Sequence, residues 1–386
     1  MVNHPPGAIR RHVLAATAAT LAATGFAATP VQAETAPEET AQILGADSPD
    51  AIPGSYIVAF DDGVDAAVVD DFGGDVETVF GTVGAVLATM SESEAERLAA
   101  DPAVAYVEQN QVIEVQATQD DPPSWGLDRI DQAALPLSTS YTYPNAGEGV
   151  TAYIIDTGIW AGHEEFTGRT GTGYSAIAPG LQGLDCNGHG THVAGTVGGT
   201  DYGVAKAVTL VPVQVLSCAG SGTTAGVIQG VDWVTENAVK PAVANMSLGG
   251  GISDALDEAI AASIDSGVTY AVAAGNETAD ACGVSPARTS EAITVAASRM
   301  DDARADFSNF GECVDVFAPG EDIESAYLLG LTQTLSGTSM ASPHVAGAAA
   351  VYLSAHPDAS PAEVADALTG AATSGAVSDV QGSPNL

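Results

Sequence analysis

From residue 150 onward, short apolar runs alternate with helical stretches, and this alternation restricts the fold more than any other feature. The runs are Val150–Ile155, Val208–Leu216, Ala242–Leu248, Val268–Ala274, Ile293–Ala297 and Val314–Phe317. They are rich in Val, Ile and Ala, as expected of strands buried on both faces. Thr223–Ala238 and Asp254–Ser266 carry a helical period, and Gly267 follows the second at a C-cap position. Ser360-Pro361-Ala362-Glu363 combines an N-cap, a first-turn proline and a capping-box glutamate. Residues 117–386 are therefore expected to form one α/β domain, with a mostly parallel central sheet and helices on both faces. In such sheets functional residues collect at the carboxyl ends of the strands.

A smaller α+β unit precedes it, from Ser55 to Gln116. Tyr56–Phe60, Gly84–Met90, Val104–Glu108 and Val112–Val115 read as strands, and Ser91-Glu92-Ser93-Glu94 opens a short helix. At about 60 residues the unit is marginal alone. Residues 34–53 read as a linker. At the start, Arg10 and Arg11 precede the apolar run Val13–Ala28, and Val31-Gln32-Ala33 offers a cleavage site, so residues 1–33 read as an export signal. The run is too short and too rich in Ala and Thr to span a bilayer comfortably. The paired arginines leave a twin-arginine route open beside the general one.

The expected product is secreted and extracellular, with no membrane partner after processing. Its four cysteines, Cys186, Cys218, Cys282 and Cys313, all lie downstream of the signal. An oxidising compartment favours two disulfides, in any of three pairings. Zinc would call for Cys-x-x-Cys spacings, which are missing. The net charge of −39 repels nucleic acid and anionic lipid. It suits either plain solubility or work at high salt, where counterions screen self-repulsion.

The richest stretch for chemistry is Gly337-Thr338-Ser339-Met340-Ala341-Ser342-Pro343-His344. It places Ser339 at a helix N-terminus, where peptide dipoles favour negative charge. Pro343 is expected in an early turn that tolerates proline. Read alone, Ser339 is equally a capping serine. As a nucleophile it needs a base, and the base needs an orienting partner. His189 lies in a glycine-flanked helix entry, and Asp156 ends the run Tyr153-Ile154-Ile155. Ala274-Gly275-Asn276 delivers a side-chain amide suited to an oxyanion. The histidines at 189 and 192 also admit a metal hydrolase, although the glutamate of a His-Glu-x-x-His motif is lacking. A peptide-binding protein without activity would be expected to lack one of these groups, and none is lacking.

In the order Asp156, His189, Asn276, Ser339, these motifs closely resemble the subtilisin-like serine peptidases, in their proteinase K branch. The similarity runs from about Trp125 to the C-terminus, and the unit before it resembles the family's ferredoxin-like inhibitory propeptide. The resemblance implies a broad-specificity endopeptidase that cleaves proteins and favours bulky apolar or aromatic side chains. Its catalytic groups would be Asp156, His189, Ser339 and Asn276. Gly220, Ser221, Gly222, Ser247, Leu248 and Gly249 would sandwich an extended peptide, and Ala273, Ala274 and Gly275 would wall the main specificity pocket. It further implies bridges Cys186–Cys218 and Cys282–Cys313, a self-processed precursor with residues 34–116 as linker and propeptide, and a monomer. No cofactor is implied for the chemistry. Asp128, Asp131 and Gln132 resemble a structural calcium segment, whereas Arg299 stands where a second family calcium site has an aspartate.

Overall fold

The computed structural model describes residues 42–386, apart from 47, 49, 50, 62, 113–115 and 179. The expected export signal and most of the expected strand Val112–Val115 lie outside the described residues. The chain divides into two compact units, Met1–Val112 and Ile113–Leu386.

In the first unit the order is β1 (Ala51–Phe60), α1 (Ala66–Asp71), β2 (Asp75–Phe80), β3 (Ala85–Thr89), α2 (Glu92–Ala99) and β4 (Val104–Gln111). The strands pair antiparallel in the order β2-β3-β1-β4, a ferredoxin-like arrangement. Tyr56, Val58, Val86, Leu98 and Val107 fill its core. The Ser91 N–H donates to the Glu94 carboxylate at 2.8 Å, completing the expected capping box. The sequence reading misses α1 and β2. Strand β2 is largely exposed at the sheet edge, so it carries little apolar pattern.

The second unit opens with β5 (Ala117–Asp120), α3 (Trp125–Ile130) and β6 (Ser140–Tyr143), with β5 and β6 paired antiparallel. Then follow β7 (Thr151–Asp156), β8 (Tyr174–Ser175), α4 (His189–Gly198), β9 (Thr209–Gln214), α5 (Thr224–Asn237) and β10 (Ala242–Met246). Next come β11 (Gly250–Gly251), α6 (Asp254–Asp265), β12 (Thr269–Ala273), β13 (Val284–Ser285), β14 (Ile293–Ser298) and β15 (Val316–Pro319). The chain closes with β16 (Ile323–Ala326), β17 (Thr332–Leu335), α7 (Thr338–Ala355) and α8 (Pro361–Ala371).

All six apolar runs become strands of one seven-stranded sheet, ordered β15-β14-β12-β10-β7-β9-β8. Every pairing in it is parallel. Side chains alternate between two cores, as the period of a strand demands. Ala152 and Ile154 of β7 join Val193 of α4 and Val345 and Ala349 of α7 on one face. Tyr153 and Ile155 join Val231 of α5 and Ile260 of α6 on the other. Strand β9 lies on one side of β7 and β10 on the other, so the winding reverses there and a crevice opens at their carboxyl ends. Asp156 ends β7, and Ser247 follows β10 directly. The cysteines form Cys186–Cys218 and Cys282–Cys313, the pairing the resemblance implied.

Candidate active site

Asp156 is fully buried at the end of β7. His189 opens α4, and its Nδ1–H donates to the Asp156 carboxylate at 2.8 Å to Oδ1 and 3.0 Å to Oδ2. The Thr157 N–H also donates to Asp156 Oδ1, at 2.6 Å. An imidazole so held can carry a proton on Nδ1 and present Nε2 as a base. Burial alone pulls the His189 pKa down, but the Asp156 charge and hydrogen bond, with the charge of Asp185, outweigh it and leave it above the ordinary 6.5. The ring is 28% exposed at the cleft, so it is reachable from solvent. Chain entry to α4 depends on Gly188, whose φ is 109° and whose absent Cβ would sit 2.3 Å from the Tyr327 ring.

Ser339 lies in the first turn of α7. Pro343 stands four residues further on, deeper than the early turn expected of it. Having no N–H, it cannot donate to the Ser339 carbonyl. The Ser247 hydroxyl replaces that bond at 2.7 Å. Asn245 links the same pieces, donating to Ser247 Oγ at 2.8 Å and accepting from Ser342 at 2.7 Å. The Ser339 hydroxyl donates to the Ser247 carbonyl at 3.2 Å rather than to His189. Catalytic hydrogen bonds commonly tighten only when substrate binds.

Asn276 follows β12, and its Oδ1 accepts from the Thr338 N–H at 2.8 Å and the Thr338 hydroxyl at 3.0 Å. With Oδ1 so engaged, Nδ2 is turned away as a donor. Among the described residues neither Asn276 Nδ2 nor the Ser339 N–H has a protein acceptor. Two open donors beside a serine hydroxyl can bind an oxygen that acquires negative charge.

Asn309, fully buried, pins the Asn276 loop from below. Its amide donates to the Ala274 carbonyl at 2.9 Å and to Glu277 at 3.0 Å, and its Oδ1 accepts from the N–H groups of Glu277 and Ala279. Gly275 is required above it, since its φ is 102° and a Cβ would lie 2.3 Å from Asn309 Nδ2.

A cleft of about 440 Å³ is lined by His189, Gly220, Ser221, Gly222, Ser247, Leu248 and Gly249. Among the described residues the N–H groups of Gly222, Leu248 and Gly249 have no protein acceptor. The Cys186–Cys218 bridge ties one wall of this cleft to the entry of α4, and Asn187 Nδ2 donates to the Cys218 carbonyl at 3.0 Å. Ala273 ends β12, and Ala274 and Gly275 follow it directly. Ala273 and Ala274 are buried at the strand end, and the Gly275 N–H donates to the Thr338 hydroxyl at 3.1 Å.

The segment read as a calcium site uses much of its oxygen internally. Asp128 accepts from the N–H and hydroxyl of Ser138 and the N–H of Thr139, and Gln132 Oε1 accepts from the Ser138 N–H. Asp131 accepts from the Thr142 N–H at 2.6 Å, while its Oδ1 is buried with no partner among the described residues. Burial pushes the Asp131 carboxyl up, and nearby Asp128 adds to this against the Thr142 hydrogen bond. Arg299 pairs with Asp301 and Glu321.

Sequence reasoning passed over Asp185, Thr338 and Asn309. Asp185 lies four residues before His189 and is as buried as Asp156, a signal visible only once burial is known.

Residues 147–383 match the model of the subtilase family. The chain is 50% identical to the extracellular serine proteinase of Thermus sp. (strain Rt41A), over 90% of this chain and 92% of that protein. It is 51% identical to alkaline serine exoprotease A of Vibrio alginolyticus, over 80% of this chain and 59% of that protein. Among solved structures it resembles a cold adapted subtilisin-like serine proteinase, with a TM-score of 0.67 and 56% identity over 68% of this chain and 96% of that one. With a family match over residues 147–383, half of its residues shared across 90% of the chain and the fold shared with a solved subtilisin-like proteinase, this protein belongs to the subtilase family of serine-type endopeptidases.

Proposed function

We propose that the protein is a secreted, broad-specificity endopeptidase that works through Asp156, His189 and Ser339 and an acyl-enzyme. Ser339 Oγ attacks the peptide carbonyl. His189 Nε2 takes its proton and returns it to the leaving amine, while Asp156 holds the tautomer and stabilises the imidazolium. Asn276 Nδ2 and the Ser339 N–H receive the oxyanion. Water then attacks the acyl carbonyl, with His189 again as base, and releases the acid. The observation that carries this reading is the pair of unpartnered donors beside Ser339, on a site whose histidine is clasped by a buried carboxylate.

Substrate enters as an added strand between Gly220–Gly222 and Ser247–Gly249, whose free N–H groups suit main-chain recognition. Ala273–Gly275 bound the pocket for the side chain before the scissile bond, which favours bulky apolar or aromatic groups. Residues 1–33 form the export signal. Residues 34–116 form a linker and inhibitory propeptide that the enzyme removes itself, leaving a monomeric domain of residues 117–386. Its partners are protein and peptide substrates.

Structural calcium belongs to this reading. The buried, unpartnered Asp131 Oδ1 is a hard donor that such an ion would use, with Asp128 and Gln132 beside it. Among the described residues no three His, Cys, Asp or Glu side chains converge, so amide and hydroxyl oxygens would share the ion. No chemical step passes through it.

A serine-directed phosphonylating reagent tests the whole assignment. Inactivation with a mass shift mapped to Ser339 is expected. Inactivation that maps elsewhere, or full activity in the labelled enzyme, would overturn it.

A further inference from the structure

Asp185 carries a second carboxylate with no exposure to solvent, and among the described residues no cation pairs with it. An uncompensated buried charge is costly, and hydrogen bonds are the means of holding it. Asp185 has five. Oδ1 accepts from the Thr157 hydroxyl at 3.0 Å, the Asn187 N–H at 2.8 Å and the Gly188 N–H at 3.0 Å. Oδ2 accepts from the Thr191 N–H at 3.0 Å and the Thr191 hydroxyl at 2.5 Å.

The donors come from two places. Thr157 adjoins Asp156, while Asn187, Gly188 and Thr191 bracket His189. The Thr157 hydroxyl closes the loop by accepting from the Gly190 N–H at 2.9 Å. Asp185 is therefore a node that joins the turn carrying Asp156 to the helix entry carrying His189, beside the direct Gly190–Thr157 bond.

We infer that Asp185 is the second carboxylate of the base: a positioning residue that locks His189 against Asp156 and places another buried negative charge behind the imidazole. The inference rests on the reading of His189 as the general base. The titratable groups around the ring are Asp156 from β7, Asp185 from the segment before α4, and His192 one turn along α4. His192 is uncharged at neutral pH, because burial lowers its pKa to about 4. Both charges that bear on His189 are thus negative, in line with the direction of its own shift.

The experiment measures kcat and kcat/KM against pH with a chromogenic peptide, on mature enzyme whose active sites are counted with the phosphonylating reagent. That count separates lost folding from lost rate. Asp185→Asn keeps the volume and removes the charge, and its acid limb should move to lower pH than in the wild type. An unmoved acid limb, with only fewer titratable sites, would make Asp185 merely structural and overturn the inference. Thr157→Val cuts two ties, the hydroxyl's bond to Asp185 and the one it accepts from Gly190, and keeps both charges. It should lower kcat about tenfold, the scale set by small misplacements of reacting groups, with the acid limb unmoved. Thr157→Ser should restore the rate. Wild-type kcat in Thr157→Val would overturn the positioning role, and this pair decides the matter if Asp185→Asn does not fold. Failure of the reagent to label wild-type Ser339 would instead refute the underlying triad, and this inference with it.

Discussion

On the side of Asp156 and His189, buried oxygens are engaged: Asp185 alone takes five hydrogen bonds, and Asp156 is held by His189 and Thr157. On the side of Ser339 and Asn276, two donors have no acceptor among the described residues. The difference follows from what each side must do. Proton transfer needs an imidazole whose place and tautomer exist before substrate arrives, so its supports are saturated and buried. Oxyanion binding needs donors whose partner forms only during reaction. Donors already satisfied in the ground state would contribute nothing extra in the transition state. Ser339, half-exposed at a helix start, can leave its N–H open because the first N–H groups of any helix lack internal partners.

The comparison can be broken most severely from the open side. Ser339→Ala removes the proposed nucleophile, and kcat should fall by about 10⁶-fold, the scale known for nucleophile loss in subtilisin. The precursor should also stay uncut, which gel mobility and mass spectrometry would report. Efficient maturation of that variant alone would argue against self-processing.

On the saturated side, Asp156→Asn keeps the shape but favours the wrong imidazole tautomer. A loss of about 10⁴-fold in kcat is expected. A loss under tenfold would mean that Asp185 and the helix entry suffice to orient His189.

Asn276→Leu deletes one open donor and should cost about 10²–10³-fold in kcat with little change in KM, by comparison with subtilisin. A rise in KM at constant kcat would place Asn276 in ground-state binding instead. The variant also loses the acceptor for Thr338, so its melting temperature should be measured beside its rate.

The smallest effect concerns pH. His189 must be neutral to act as base, and its pKa lies above 6.5. Activity should therefore fall on acidification with a midpoint above 6.5. Its raised pKa means that protonating His189 favours the folded state, so this group adds stability on acidification and the activity loss reflects a lost base rather than unfolding. An acid limb centred below 6.5 would contradict the two-carboxylate environment.

Much of the main domain was legible because its strands are buried on both faces. Val150–Ile155 and Val268–Ala274 are apolar but for one threonine each, Thr151 and Thr269, and a run of that length between turns has few other uses. Strand β2 was missed for the opposite reason, being mostly exposed. Caps were legible at Ser91 and Ser360, where the partner lies three residues away. Pro343 was legible as a proline in a helix, but its meaning was not. Its consequence falls on Ser247, 92 residues from the carbonyl that it rescues.

By itself the sequence determined the alternating α/β architecture, the ends of its helices, the excess of negative charge and the candidates for the reactive groups. These depend on local period, on neighbours within a turn and on side-chain chemistry. Tertiary structure decided which groups are spent and which are left open. Asp156 and His189 stand 33 residues apart in sequence yet 2.8 Å apart in space, and Asn276 reaches Thr338 across 62 residues. Asp185, unremarked in the sequence, became central only when folding buried it among five donors. Burial and hydrogen-bond satisfaction are properties of the assembled chain, because a polar group's cost and use depend on what surrounds it.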